Sequence, residues 1–363
     1  MNCVPATGPA NARIMIVGEA PGREEEEQGL PFVGQSGKLL NAMLADVGID
    51  RSQCFITNVC KYRPPNNEIS EWFYTKSHAN IIGAPSYLGR YPHSNIRSGL
   101  LGLEGEIKLV NPDLIIALGD TALWALTSQT GITKWRGSIM DSLPIHGKKY
   151  KVLPTYHPAA IMRNWPWRSV ALHDLQKAKK EGTFPEIIRP DYRFIVRPTH
   201  GRVLEVLWML TQRLASGPTI LSLDLETRYS HIACLGIAWS KTEAICIPFM
   251  CTGDEEGYWG MADVEYDVVR RCIAVICHPN ARIVGQNFLY DAQYISLYWG
   301  VLCNVLFDTM IAQHVCWPGL PKALDFLSSL YCEQHIYWKD EGKDWHPALP
   351  EEQLWVYNCT DAV

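Results

Sequence analysis

Residues 14–40 constrain the fold more than any other stretch of this sequence. The apolar run Ile14 to Val17 is too short for a helix and fits a buried parallel strand ending at Gly18. The segment that follows, GEAPGREEEEQGLPFVGQSGKLL, is a loop punctuated by Pro21 and Gly22, in which Gly29, Gly34 and Gly37 let the backbone pass close to a ligand. Lys38-Leu39-Leu40 then opens a helix that continues through Met43 and Leu44. Strand, wrapped loop and helix N-terminus in succession suit an anionic or polar ligand. On the glycines alone, the plain reading, a generic phosphate loop or an ordinary strand-to-helix turn, fits as well as a more specific binding loop. Phe32 puts a rigid aromatic face into the loop, and Glu24 to Glu27 crowd it with negative charge. An aromatic plate beside carboxylates suits a planar base better than a phosphate.

The same alternation continues downstream. Cys54 to Val59 reads as a strand that must leave the sheet at Lys61-Tyr62-Arg63-Pro64-Pro65, so Asn58 lies near a strand end. Strand ends are where open α/β sheets bind ligands, which makes Asn58 a candidate reader of a polar edge; a turn asparagine bonding its own backbone is the other reading. Residues 66–99 are polar and read as a long loop or insertion. A helix over Leu100 to Val110, a strand over Leu114 to Leu118, a helix over Ala122 to Leu126 and a strand over Tyr150 to Leu153 follow, the last running into Pro154-Thr155-Tyr156-His157-Pro158. A lysine-bearing helix closes this part near Gly182. The βαβ rhythm predicts a three-layer α/β/α domain with a parallel sheet.

At 363 residues the chain exceeds what one core organises, so two domains are expected: 1–184, a proline-containing linker at 185–199, and 200–363. With 47% hydrophobic and 20% charged residues this is the composition of a soluble globular protein. No run approaches the roughly 18 apolar residues of a membrane span, and the opening dozen residues carry no targeting segment, so a cytoplasmic setting is expected. The 12 cysteines form no C-x-x-C pair, which argues for reduced, buried thiols rather than a disulfide framework or a zinc ribbon. Charge is asymmetric: residues 1–184 hold 20 basic against 16 acidic side chains, and residues 185–363 hold 13 against 22. The first part tolerates a polyanion; the second would repel one unless some carboxylates hold metal.

A helix over Arg202 to Leu214 leads to the strand Thr219 to Thr227, whose alternation sends Asp224 and Glu226 to one face. Two carboxylates on an otherwise apolar strand are costly without a cation. Ile232 to Ser240 and Glu243 to Pro248 read as antiparallel strands, and a helix over Val264 to His278 precedes the strand Arg282 to Gly285. Gln286-Asn287-Phe288-Leu289-Tyr290-Asp291 delivers Asp291 near that strand's end, and a helical pattern over Gln353 to Val363 sets Tyr357 and Asp361 one turn apart on one face. Asp224, Glu226, Asp291 and Asp361 together form an oxygen ligand set suited to two Mg²⁺ or Mn²⁺ ions, with Tyr357 placed to orient a water.

The motifs GEAPG with E-x(6)-PFVG, TNVCKYRPP and HPAAIMR resemble, in order and spacing, those of the uracil-DNA glycosylase superfamily, closest to its bacterial and archaeal type 4 members. The resemblance implies that Phe32 stacks on a flipped uracil, that Asn58 bonds its polar edge, and that His157 faces O2 and stabilises the departing uracil anion. It further implies that Glu19 and Glu25 help hold the attacking water and that the small Ala20 belongs to the uracil-binding set with Phe32, Asn58 and His157. Type 4 members ligate an iron–sulfur cluster through four cysteines. Here Tyr62 takes one such position and no C-x-x-C precedes the first strand, so no cluster is expected. The second half resembles the 3′–5′ proofreading exonuclease domain of family A DNA polymerases, of the ribonuclease H-like superfamily, through D-L-E, N-F-L-Y-D and Y-N-C-T-D. That resemblance implies a mixed sheet and metal-dependent hydrolysis of phosphodiesters from a 3′ end.

The expected protein is a DNA repair and replication enzyme of a bacterium or a phage-infected cell, combining uracil excision with proofreading. Its partner is DNA, as single strands or primer–template ends. Since the sequence stops within a helical pattern two residues after Asp361, a polymerase body is expected to follow. A first domain that senses uracil without cleaving it, beside a catalytic second domain, is the alternative reading.

Overall fold

A computed structural model describes residues 2–252, 257–340 and 350–363 of the chain. Short β-rich apolar runs become buried strands wherever a helix can cover them, and two sheets result. The chain divides into two compact units, Met1–Arg189 with Ser328–Tyr337, and Pro190–Leu327 with Trp338–Val363.

In the first unit, β1 (Ile14–Gly18), β2 (Cys54–Asn58), β3 (Leu114–Leu118), β4 (Met140–Asp141) and β5 (Lys151–Thr155) form one sheet in the order β2-β1-β3-β5-β4, with β4 the only antiparallel member. β2, β3 and β5 are buried along their whole length, and β1 everywhere but at Ile14. Met15, Val17, Phe55, Ile115 and Ala117 pack on one face against the Ser94–Val110 and Asp120–Thr127 helices, and the Trp167–Glu181 helix covers β3 and β5. The expected parallel three-layer sheet is what the chain forms.

Three local expectations are corrected. The glutamate run is helical over Arg23–Gln28, because Glu25 reaches back to the Gly22 amide and closes a cap. The helix expected from Leu100 begins at Ser94, where His93 Nδ1 accepts from the Asn95 amide. Within the expected linker, Arg193–Ile195 forms β6 and pairs with a strand of the second unit. Ser328–Tyr337 packs in the first unit, where the Ile139 amide donates to His335 O at 3.0 Å and Arg136 donates to the Ser329 hydroxyl at 2.6 Å. Arg136 and Asp174 form a fully buried ion pair there, and Asp174 also accepts from Thr155 at 2.7 Å.

In the second unit, β7 (Thr219–Arg228), β8 (His231–Ala238), β9 (Glu243–Pro248), β10 (Ala281–Gly285) and β11 (Val305–Asp308) join β6 in the order β11-β10-β7-β8-β9-β6. The sheet is mixed: β7, β8 and β9 run antiparallel, whereas β10 is parallel to both β7 and β11. Leu221, Leu223 and Leu225 of β7 sit in the core with Val203, Leu207 and Leu210 of the His200–Ser216 helix and Val268 and Cys272 of the Ala262–Ile276 helix. The intervening Asp224 and Glu226 therefore point to the other face.

Candidate active sites

The first constellation gathers where β1 and β2 end and where the helix after β5 begins. Gly18 closes β1, and its missing side chain is what allows two others to meet: a Cβ there would lie 2.4 Å from both Asn58 Oδ1 and Phe32 Cζ. Phe32 adopts a left-handed φ of +55°, and a Cβ on Gly37 would stand 2.0 Å from its carbonyl oxygen, so this turn requires a glycine at 37. The Phe32 ring lies 5.8 Å from that of His157, centroid to centroid. Phe32, Asn58 and His157, remote in sequence, thus share one neighbourhood.

His157 caps the Pro158–Arg163 helix, its Nδ1 accepting from the Ala159 amide at 3.1 Å. Burial, reinforced by the Arg163 charge, lowers its pKa to about 4, so the ring is neutral at pH 7 and carries its proton on Nε2. Glu19, just beyond β1, accepts from the Thr121 hydroxyl at 2.5 Å, and burial raises its pKa. Ala20 is half-buried against the core. Glu25 differs from its expected role: Oε1 accepts from the Val33 and Gly34 amides at 3.2 and 2.9 Å, and Oε2 from the Gly22 amide at 3.1 Å. In this geometry its carboxylate is committed to shaping the Phe32 loop.

The donors for an iron–sulfur cluster do not fit. In the first unit Cys54 and Cys60 are buried, with pKa values pushed up to about 11 by burial, and their thiols contact the Asp50 and Asn95 carbonyl oxygens. Cys3 and Cys332 are exposed. Among the described residues no three of these cysteines lie close enough to share an ion.

The second constellation is built on β7 and the Glu351–Ala362 helix. Asp224, Glu226 and Asp361 each offer an oxygen within 4.8 Å of the others, the one such group among the described residues. Tyr357 lies one turn before Asp361 on that helix. Asn358, fully buried, donates its amide to Asp224 O at 3.0 Å and Asp224 Oδ2 at 2.8 Å; Gly236 on β8 gives it room, since a Cβ there would lie 2.7 Å from Asn358 Oδ1. Asp291, at the start of the Leu289–Trp299 helix, was expected as a fourth ligand. It stands outside the three-carboxylate group, and its Oδ1 accepts from the Leu225 amide at 2.7 Å. That amide is available because β10 pairs with β7 only as far as Ser222.

Burial and mutual repulsion define the electrostatics of this site. Burial, then Asp361 and Glu226, raise the Asp224 pKa well above its ordinary value. Burial, then Asp361, bring Glu226 to about 7, and burial brings Asp291 to about 7. Burial and Asp361 push the Tyr357 hydroxyl upward, keeping it protonated. Such a set is short of positive charge and fits divalent cations. Sequence reasoning missed Asn358, although it lies inside Y-N-C-T-D, and it missed Trp338 and Lys339, whose contacts with Asp361 no local pattern announces.

A model of the uracil DNA glycosylase superfamily matches residues 5–176, and a 3′–5′ exonuclease model matches residues 207–363. The chain is 39% identical over 189 residues to a type-4 uracil-DNA glycosylase of Thermotoga maritima, covering 50% of this chain and 85% of that protein. It is 29% identical over 170 residues to a DNA polymerase of Bacillus phage SP01, covering 47% of this chain but 16% of the polymerase. Among solved structures, Escherichia coli RNase D, an exoribonuclease involved in structured RNA processing, is 16% identical over 47% of this chain and 41% of its own, with a TM-score of 0.32. The chain belongs to the uracil-DNA glycosylase superfamily, and after that part its residues 207–363 match a 3′–5′ exonuclease model.

Proposed function

We propose that the chain performs two separate reactions on DNA: hydrolysis of the N-glycosidic bond of deoxyuridine in the first unit, and metal-dependent removal of 3′-terminal nucleotides in the second. The observation that carries the first is that Asn58 and Phe32 meet over side-chain-free Gly18, with the neutral His157 ring beside that of Phe32. An extruded uracil stacks on Phe32 while the Asn58 amide bonds its polar edge. As the N1–C1′ bond breaks, its electron pair passes to uracil, and His157 Nε2–H donates to O2 where that charge develops. A neutral imidazole stabilises the anion without having to surrender a proton. Glu19 supplies negative charge for the oxocarbenium-like sugar and for the water that attacks it.

In the second unit, Asp224, Glu226 and Asp361 would hold divalent ions, and Asp291 braces the strand between the first two through the Leu225 amide. Bound ions would supply an activated water and neutralise charge on the reacting phosphate. The protonated Tyr357 hydroxyl orients that water, and Asn358 keeps Asp224 aimed into the cluster. Similarity to a phage DNA polymerase supports a replicative setting, with single strands or primer–template ends as substrate.

Single strands carrying one uracil, incubated with EDTA present, test the first reaction: abasic product is the expected outcome. A second reading, a module that holds uracil without cutting, is favoured by Glu25 being committed to the loop and by Ala20 bringing no acid or base. Tight uracil-dependent binding without abasic product would establish it instead.

A further inference from the structure

We propose that Lys339 is the resident cation of the carboxylate cluster, and that a divalent ion enters only by displacing it. This rests on reading the cluster as a metal site. Both oxygens of Asp361 already have partners: Oδ1 accepts from the Trp338 indole at 2.6 Å, and Oδ2 is in direct contact with Lys339 Nζ. The same ammonium donates to the Tyr357 hydroxyl at 2.9 Å and lies over the Tyr357 ring at 4.9 Å. The Asp361 side chain is 6% exposed and that of Lys339 17%, so the pair is held in a poorly solvated place. There an unbalanced carboxylate is costly and an ammonium is a strong partner.

An ion in contact with Asp361 would sit about 2.0–2.4 Å from its oxygen, within a few ångströms of Lys339 Nζ. Two cations cannot share that carboxylate in so dry a setting, so binding of one releases the other. The lysine stem is flexible, and its partial exposure gives the head group a way out to water. Departure also frees the Tyr357 hydroxyl from the ammonium, so that metal loading and availability of Tyr357 to a water become one event. A metal that must first expel Lys339 binds more weakly than one entering a bare cluster, by the population of the displaced state.

Two measurements without DNA test this. Free Mn²⁺ is followed by electron paramagnetic resonance during titration of metal-free wild-type protein, Lys339→Met and Lys339→Arg. The methionine variant is expected to bind Mn²⁺ about 5–150-fold more tightly, the span of ordinary coupling between two sites, and the arginine variant to resemble wild type. In wild-type protein, acylation of Lys339 by an amine-reactive ester, read by mass spectrometry, is expected to accelerate several-fold (roughly in proportion to the same coupling) when Ca²⁺ replaces EDTA, while exposed Lys38 reacts equally in both. The second measurement needs no variant to fold. Equal or weaker Mn²⁺ binding by Lys339→Met, or acylation indifferent to metal, overturns displacement while leaving the metal site intact. Absence of Mn²⁺ binding by every protein overturns the metal site itself, and displacement with it.

Discussion

Gly18→Ala is a single-methyl test of the first site. The added Cβ would lie 2.4 Å from Asn58 Oδ1, 2.4 Å from Phe32 Cζ and 2.8 Å from Phe32 Cε2, where ordinary contact begins near 3.4 Å. Neither neighbour has room to yield, since Phe32 is 3% and Asn58 4% exposed. Asn58 ends a buried strand paired to β1 at Gly18 itself, and Phe32 is pinned by Gly37 behind it. Relief of the overlap must therefore separate the ring from the amide, at a cost of about 1–3 kcal/mol for an overpacked core position. If that cost falls on base capture, uracil excision drops by about 5–150-fold, at one decade per 1.4 kcal/mol. The assay is single-turnover release of uracil from a single strand with EDTA present, alongside thermal unfolding, with 3′-end hydrolysis in Mn²⁺ as internal control. A variant that excises uracil at the wild-type rate, with an unchanged melting temperature, would show that Gly18 does not hold the two side chains together as described.

Asp224→Ala is expected to abolish metal-dependent shortening of single strands and to leave uracil release unchanged; simultaneous loss of both would refute two independent sites. Asn358→Ala strips Asp224 of two part-buried hydrogen bonds, so stability falls by about 1–3 kcal/mol, and exonuclease activity or Mn²⁺ affinity by about 10–100-fold. His157 confers a pH dependence on stability. The unfolded ring takes its proton near 6.5 and the folded ring only near 4, so the stabilisation is complete above 6.5 and is lost as pH falls from 6.5 toward 4. This amounts to roughly 2–3 kcal/mol, allowing for its partial exposure, and His157→Asn should flatten the melting temperature across that window. An equally steep decline in the variant would place the dependence elsewhere.

Much of both sites was readable because their residues sit at places the chain marks locally. Phe32 stands in a glycine-bounded loop, Asn58 and His157 at strand ends, and Asp224 and Glu226 in period-two alternation with buried leucines. What escaped was determined by partners far away in sequence. Glu25 turns a run of like charges into a helix because the amides of Gly22, Val33 and Gly34 need an acceptor. Arg193–Ile195 looked like linker because a three-residue strand carries no period of its own and forms only by pairing with β9. Asp291 was grouped with the other acids because it follows a strand end, whereas in the folded chain its carboxylate is engaged by the Leu225 amide of a neighbouring strand. Lys339 and Trp338 reach Asp361 across 22 and 23 residues, a proximity that only the folded chain creates.

The most direct test of the account is the fate of a uracil-containing single strand under EDTA with wild-type protein, Asn58→Ala and His157→Ala side by side. Abasic sites are expected with wild type in the absence of divalent metal, and at most a small fraction of that product with either variant. Product that requires Mg²⁺ or Mn²⁺, or that survives undiminished in both variants, would contradict it.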